Sequence, residues 1–262
     1  MTGLELLEWG MLERMAADTW PAAFVLPLEA WLLRADPEIP AKRCNSVLTA
    51  GAIPESEVDW MEQIELFYAE FGFRPRFHIS AASPGGLDEQ LAEQGYVKEG
   101  ESLVLTATVE QVLKLADGES HRNAYSAEVA ACHNGEWLDA YLRIEQFDPH
   151  KKTSYHAILD RISGPKAFVL VRHNETAAPA GVGTAVVNGE WAGLINIATD
   201  ASHRRQGVGV TGIRALAAWS AHVGVHRMYL QVVADYEPAV RLYEKLGFRY
   251  SHRYHYRTGP AR

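Results

Sequence analysis

The chain has only two cysteines in 262 residues, Cys44 and Cys132, and no Cys-x-x-Cys pair. This argues against a disulfide scaffold and a cysteine-built zinc site, and a reducing compartment is expected. Long apolar runs are missing as well. The longest, Ala22 to Leu33, is interrupted by Pro27 and Glu29 and is too short to span a bilayer. The start, Met1-Thr2-Gly3-Leu4-Glu5, lacks the basic residues of a secretory signal. These absences predict a cytoplasmic protein with no membrane partner. Positive charge is also in short supply: 25 basic against 33 acidic residues give a net charge of −8, which argues against nucleic acid as a partner.

What is present is ordinary for a folded protein: 47% apolar and 22% charged residues. The length allows one large domain or two small ones. The charge is divided unevenly, −12 over residues 1–118 and +4 over residues 119–262. A polar stretch without apolar period, Ala116 to Asn123, is the predicted linker between these two parts.

The second part has clear punctuation. A strand is predicted from Ala124 to Ala131, and helical spacing runs over 136–145 and 153–162, with Gly164-Pro165 ending the latter. Ala167 to Arg172 is a short apolar strand. Asn188-Gly189 joins two further strands, Gly183–Val187 and Trp191–Thr199, as a hairpin. A helix follows from about Gly209 to His222, capped by Gly224, then a buried strand over 227–233. Pro238 opens another helix that stops at Gly247, and a final strand begins at Phe248. Shifting the first part by 152 positions sets Gly72 on Gly224, Phe77 on Tyr229, and Gly95-Tyr96 on Gly247-Phe248. Ile64 then meets Leu216 and Phe67 meets Trp219. An internal duplication is expected.

The chemistry concentrates in Arg204-Arg205-Gln206-Gly207-Val208-Gly209, between a strand and a helix. Glycines let successive N–H groups curl into one concavity, and the helix N-terminus adds its positive end. Such a segment cradles phosphate. The same residues contain Gly207-x-Gly209-x-x-Gly212, a dinucleotide fingerprint, with Asp235 beyond the next strand. Two points count against a dinucleotide fold. Asp200 to Gln206 separate the motif from its strand, and that strand is the second arm of a hairpin.

The run Ile197-x-Thr199-x-Ala201-x-x-Arg204-x-x-Gly207-x-Gly209 resembles the acetyl-CoA motif of the GNAT N-acetyltransferases. Ala239-x-x-Leu242-Tyr243-Glu244-Lys245-Leu246-Gly247-Phe248 is similar to that family's second signature, with Tyr236 where an asparagine is usual. The resemblance covers about 124–257. It implies an α/β (α+β) fold of two GNAT-like domains, each a mixed, mostly antiparallel sheet flanked by helices. Residues 1–118 would be a degenerate copy, its cradle replaced by Ser56 and Glu57, and residues 119–262 the catalytic domain. It implies acetyl-CoA as co-substrate and a small-molecule amine, such as an amino acid, as acceptor. Arg204, Arg205, Gln206, Gly207, Val208, Gly209 and Val210 would hold the pyrophosphate, Ile197, Ala198 and Thr199 the pantetheine arm, with Tyr236 close by. Tyr243 would protonate the leaving thiolate. For the general base, Glu190 and a water held by Asn196 both stay open. A non-catalytic acyl-CoA-binding protein is the alternative. A monomer whose halves imitate a GNAT dimer is expected. Neither His222 with His226 nor His252 with His255 presents a metal face, and no metal is expected.

Overall fold

A computed structural model describes residues 2–55, 59–119 and 124–260. The chain forms two compact units: Met1–Leu103 with Val233–Asp235 and Ser251–Arg262, and Val104–Val232 with Tyr236–Tyr250. No helix of the described residues is long and apolar enough to cross a membrane.

Unit 1 begins with α1 (Gly3–Thr19), opened by a capping box in which Thr2 and Glu5 satisfy each other's backbone N–H. Strands β1 (Phe24–Leu28) and β2 (Trp31–Ala35) form a hairpin. Strand β3 (Val47–Leu48) leads through α2 (Trp60–Ala69) to β4 (Arg76–Ser80), which lies parallel to it. Helix α3 (Leu87–Glu93) and strand β5 (Val97–Thr108) follow, the latter passing into unit 2 after Leu103. Trp31, Leu33, Ile64, Tyr68, Phe77, Leu87 and Leu91 close the core with no exposed surface, each contributing about 1.5–3 kcal/mol.

Unit 2 contains α4 (Val109–Glu119), β6 (Tyr125–Ala130), α5 (Gly135–Ile144), α6 (Lys152–Arg161), β7 (Lys166–His173), β8 (Pro179–Asn188), β9 (Trp191–Thr199), α7 (Val208–His222), β10 (Arg227–Val233) and α8 (Glu237–Lys245). The strand order is β10-β9-β8-β7-β6, antiparallel throughout except for the parallel β9–β10 pair. Gly183 of β8 faces Leu216 of α7, while Thr184, pointing the opposite way, faces Asn196. Asn196 in turn binds Tyr141 of α5, so α5 and α7 cover opposite faces of the sheet.

The last strand, β11 (Arg249–Thr258), follows α8 but pairs with β4 of unit 1, from Tyr254↔Ser80 to Thr258↔Arg76. The compact units therefore do not coincide with 1–118 and 119–262. The predicted linker needs correction for the same reason. Ala116 to Glu119 are the last turn of α4, which packs on α7 with Val112 and Ala116 fully buried. Ser120 to Asn123 lie outside the described residues, as do Ser56 and Glu57 of the expected lost cradle.

The shift of 152 positions sets α2, β4, α3 and β5 on α7, β10, α8 and β11, but carries β1 to 176–180, beyond the end of β7. It carries the first residue of β5, Val97, onto that of β11, Arg249, and the last of α3, Glu93, onto that of α8, Lys245. Gly72, Gly95, Gly224 and Gly247 all have positive φ.

One close approach holds unit 2's sheet near the site. A Cβ on Gly181 would stand 2.6 Å from Val208 Cγ1 and 2.9 Å from the Ala198 carbonyl oxygen. The backbone oxygen cannot yield cheaply. Gly181→Ala is expected to cost about 1–3 kcal/mol, read as a lowered urea midpoint with an unchanged m value.

Candidate active site

Strand β9 carries the site because it is irregular. Thr184 pairs with Ile195 and Val182 with Ala198, so Asn196 and Ile197 together oppose the single residue Gly183. Asn196 takes the left-handed conformation, φ +56°. This is a β-bulge, and it bends the strand. The parallel ladder to β10 runs from Trp191↔Arg227 to Leu194↔Leu230 and stops at the bulge. Past it β9 continues to Thr199 and β10 to Val233 without pairing to each other among the described residues. A wedge with an unpaired strand edge results, which suits an extended ligand bearing amides.

Tyr141 fixes the bulge. Its hydroxyl donates to Asn196 Oδ1 at 3.1 Å, and its ring stacks on Trp137. The Asn196 side chain is thereby committed to Tyr141 and, at 3.5 Å, to Thr184 Oγ1.

The chain leaves β9 through Asp200, which accepts from Ser202 N at 3.0 Å and pairs with Arg143. Hydrogen bonding from Ser202, aided by Arg143, holds its carboxyl down at about 2. One turn of 3-10 helix, Ala201–His203, precedes the loop. Gln206 is braced on both ends: Tyr125 donates to its Oε1 at 3.0 Å and its Nε2 donates to the Ser202 carbonyl at 2.9 Å. Arg204 and Arg205 are exposed. Arg205 (φ +60°) and Gly207 (φ +94°) turn the backbone into α7. The first hydrogen bond of that helix is Thr211 N to the Gly207 carbonyl, which leaves the N–H groups of Val208, Gly209 and Val210 for a ligand. Gly209 has a second task, since a Cβ there would stand 2.8 Å from Leu242 Cδ2. The bare glycine lets the start of α7 approach α8 beside Tyr243.

Tyr243 is 7% exposed, its ring edge-on to Phe248. Burial, reinforced by Tyr236 and Glu145, pushes its phenol well above the ordinary value. Tyr236, at the start of α8, is 48% exposed.

The structure does not bring Glu190 to this place. It is exposed at the hairpin turn before β9, seven residues or about 23 Å of strand from Ile197. Sequence neighbours of a strand's first residue are remote from its last. An acid that sequence reasoning did not single out, Glu145, lies just past α5, four residues beyond Tyr141, and its charge acts on Tyr243. Its helical spacing from Tyr141 was the available signal.

Unit 1 repeats the parallel pair but not the wedge. After Leu48↔His78, Thr49 Oγ1 donates to the His78 carbonyl at 2.7 Å and bonds Ser83 Oγ at 2.7 Å, tying β3 to the β4 end. Ala17 of α1 packs on Leu48 and Ala50, and Arg14 donates to the Ala50 carbonyl at 3.0 Å. Helix α1 thus covers the place where unit 2 is open.

A family model described as "Probable histone acetyltransferase Rv0428c C-terminal" matches residues 8–257. This chain belongs to that acetyltransferase family. It is a tandem GNAT-type N-acetyltransferase. The chain is 37% identical over 246 residues to "Uncharacterized N-acetyltransferase YobR" of Bacillus subtilis (strain 168), covering 94% of this chain and 96% of that one. Its fold is similar to a GCN5-related N-acetyltransferase from Kribbella flavida, with TM-score 0.71, 17% identity, and 97% and 96% of the two chains covered. It is also similar to a tandem GNAT protein from the clavulanic acid biosynthesis pathway, with TM-score 0.65, 16% identity, and 98% and 96% covered. The family is that of an N-acetyltransferase, in line with the sequence argument against a dinucleotide fold. The antiparallel β8–β9 hairpin that precedes the cradle agrees with that.

Proposed function

We propose that this N-acetyltransferase moves an acetyl group from acetyl-CoA to the primary amine of a small molecule by direct attack, with both bound in unit 2. The observation that carries this reading is the bulged end of β9, which runs into a cradle of unpaired N–H groups with Tyr243 buried close by. The residues fit an anionic ligand with an amide-bearing arm. Three orphan N–H donors and two exposed arginines stand at one end, and an unpaired strand edge extends from it.

Acetyl-CoA supplies an activated acetyl thioester. Arg204 and Arg205 neutralise the diphosphate, and the N–H groups of Val208 to Val210 donate to it, while Gln206 keeps the loop in shape. Ile197, Ala198 and Thr199 pair with the pantetheine amides as a neighbouring strand would. The backbone N–H at Ile197, displaced from the ladder by the bulge, stabilises the developing oxyanion. Tyr236, half-exposed at the mouth of α8, replaces the family's asparagine beside the arm. Tyr243 keeps its proton at neutral pH because its phenol is pushed up, and gives it to the leaving sulfur. Glu145, not Glu190, supplies the negative charge that draws in the acceptor's ammonium. Asn196, held by Tyr141, positions a water that relays the amine proton to bulk solvent, from which Tyr243 regains its own.

Free thiol followed over a panel of amines with acetyl-CoA tests the reading. Amine-dependent release is expected, and binding of CoA without release on any amine would overturn it. Calorimetry is expected to find one CoA per chain, because α1 and Thr49 close the equivalent place in unit 1. A stoichiometry of two would contradict that assignment. The single chain, carrying both units, is proposed to act as a monomer, which sedimentation equilibrium checks.

A further inference from the structure

Three metal-ligating side chains of unit 2 have no part in acetyl transfer. His133 lies between β6 and α5, and His156 and Asp160 lie one turn apart on α6. One ligand atom from each falls within 4.8 Å of the other two. His133 Nε2 is 3.1 Å from Asp160 Oδ1, and His156 Nδ1 is 2.9 Å from Asp160 Oδ2. The two imidazoles meet edge to face, with centroids 4.8 Å apart.

The two sides of the cluster differ in a way that matters for a ligand. The His133 side chain is only 6% exposed. The rings of Trp137 and Phe168 wall it in, so its position is set by the core. Its other nitrogen, Nδ1, is buried without a hydrogen-bond partner among the described residues. His156 and Asp160 are more than half exposed. A fixed imidazole therefore stands behind two mobile donors, with open solvent in front.

We propose that His133, His156 and Asp160 form a zinc-binding site, with water in the fourth position. Two imidazoles and a carboxylate are borderline donors that suit Zn²⁺ and not Mg²⁺ or Ca²⁺, which take oxygen. Tetrahedral bonds of about 2.0–2.2 Å place donor atoms about 3.3 Å apart. The exposed His156 and Asp160 rotamers supply the small closure this needs. Each ligating nitrogen must present a lone pair, so the proton it shares with Asp160 is released or moves to the ring's other nitrogen. At His133 that other nitrogen is the buried, unpartnered Nδ1, and a proton left there without a partner weakens the affinity. The bound ion would pin the segment before α5 to α6.

The test uses the full chain, stripped of metal with a chelator. Zn²⁺ is titrated by calorimetry and Co²⁺ by its visible absorption. One equivalent is expected to bind, and Co²⁺ is expected to give the intense band of tetrahedral coordination. His156→Ala and Asp160→Asn, both at exposed positions of α6, are each expected to weaken Zn²⁺ at least about tenfold. Saturating Zn²⁺ is expected to raise the thermal midpoint of the unaltered chain and not that of either variant. A weak octahedral Co²⁺ band, or Zn²⁺ affinity unchanged in both variants, would overturn the site.

Discussion

Tyr243→Phe is expected to lower kcat by about 10²–10⁴-fold while leaving CoA affinity unchanged. The substitution removes one oxygen from a ring whose packing against Phe248 stays in place. The hydroxyl has no hydrogen-bond partner among the described residues, so its loss leaves no polar group stranded, and the fold should be unaltered. The rate loss follows from the leaving group. On the proposed mechanism a thiolate expelled beside buried Tyr243 is poorly solvated, and the phenol is the donor that meets it. Burial raises the phenol's affinity for its proton, which makes Tyr243 a weaker acid but keeps it protonated. Because the pKa is raised, any activity lost through ionisation of Tyr243 should appear only above the ordinary phenol value of about 10. Steady-state thiol release, alongside calorimetry with CoA, separates the two effects. A variant with intact kcat would remove Tyr243 from the reaction.

Glu13→Ala is expected to destabilise the chain by about 3–5 kcal/mol. Glu13 of α1 has a fully buried side chain. His252 of β11 bonds its Oε1 at 2.9 Å, and His78 of β4 approaches Oε2 at 2.9 Å, off the line of a hydrogen bond. His78 stacks on Tyr254. Burial raises the Glu13 carboxyl, but the two imidazoles outweigh it and hold the pKa at about 2, against 4.5 when exposed. The sign follows from linkage. A depressed folded-state value adds stability above the unfolded value of 4.5 and loses it as pH falls through about 2. Truncation should therefore flatten the acid limb of stability in that window as well as lower the plateau. Denaturant titrations at pH 7 and pH 3 measure both. Replacing Glu13, His78 and His252 together with leucine is expected to recover much of the loss, because no buried polar group is then left unpaired. A plateau unchanged in Glu13→Ala would show that the triad is neutral.

Much of unit 2 was legible because its turns depend on local chemistry. Asn188-Gly189 makes its hairpin, and Gly224 and Gly247 end their helices with positive φ. The cradle was legible for the same reason, in Gly207. The tetrapeptide Asn-Gly-Glu-Trp shows where local chemistry ends: at 134 its asparagine caps α5, accepting from Trp137 N, and at 188 it turns a hairpin. The rest depended on contacts far apart in sequence. Ala116 to Glu119 read as linker because the burial that anchors this turn, at Ala116, comes from packing on α7. Glu190 was a candidate base because it adjoins β9, but the bulge lies at the other end. Tyr141 shows its role only once α5 is laid over Asn196.

The pairing of β11 with β4 gives synthesis an unusual order. β4 ends at Ser80, yet its partner, Tyr254 to Thr258, is made about 170 residues later. At about 5–20 residues per second the wait is on the order of 10–35 s. During that time one edge of β4, the Oε1 atom of Glu13 and the stacking face of His78 lack their partners in β11. The unit begun first is the last to be finished, and a nascent chain cut anywhere before Tyr254 should present an open, aggregation-prone strand edge to chaperones.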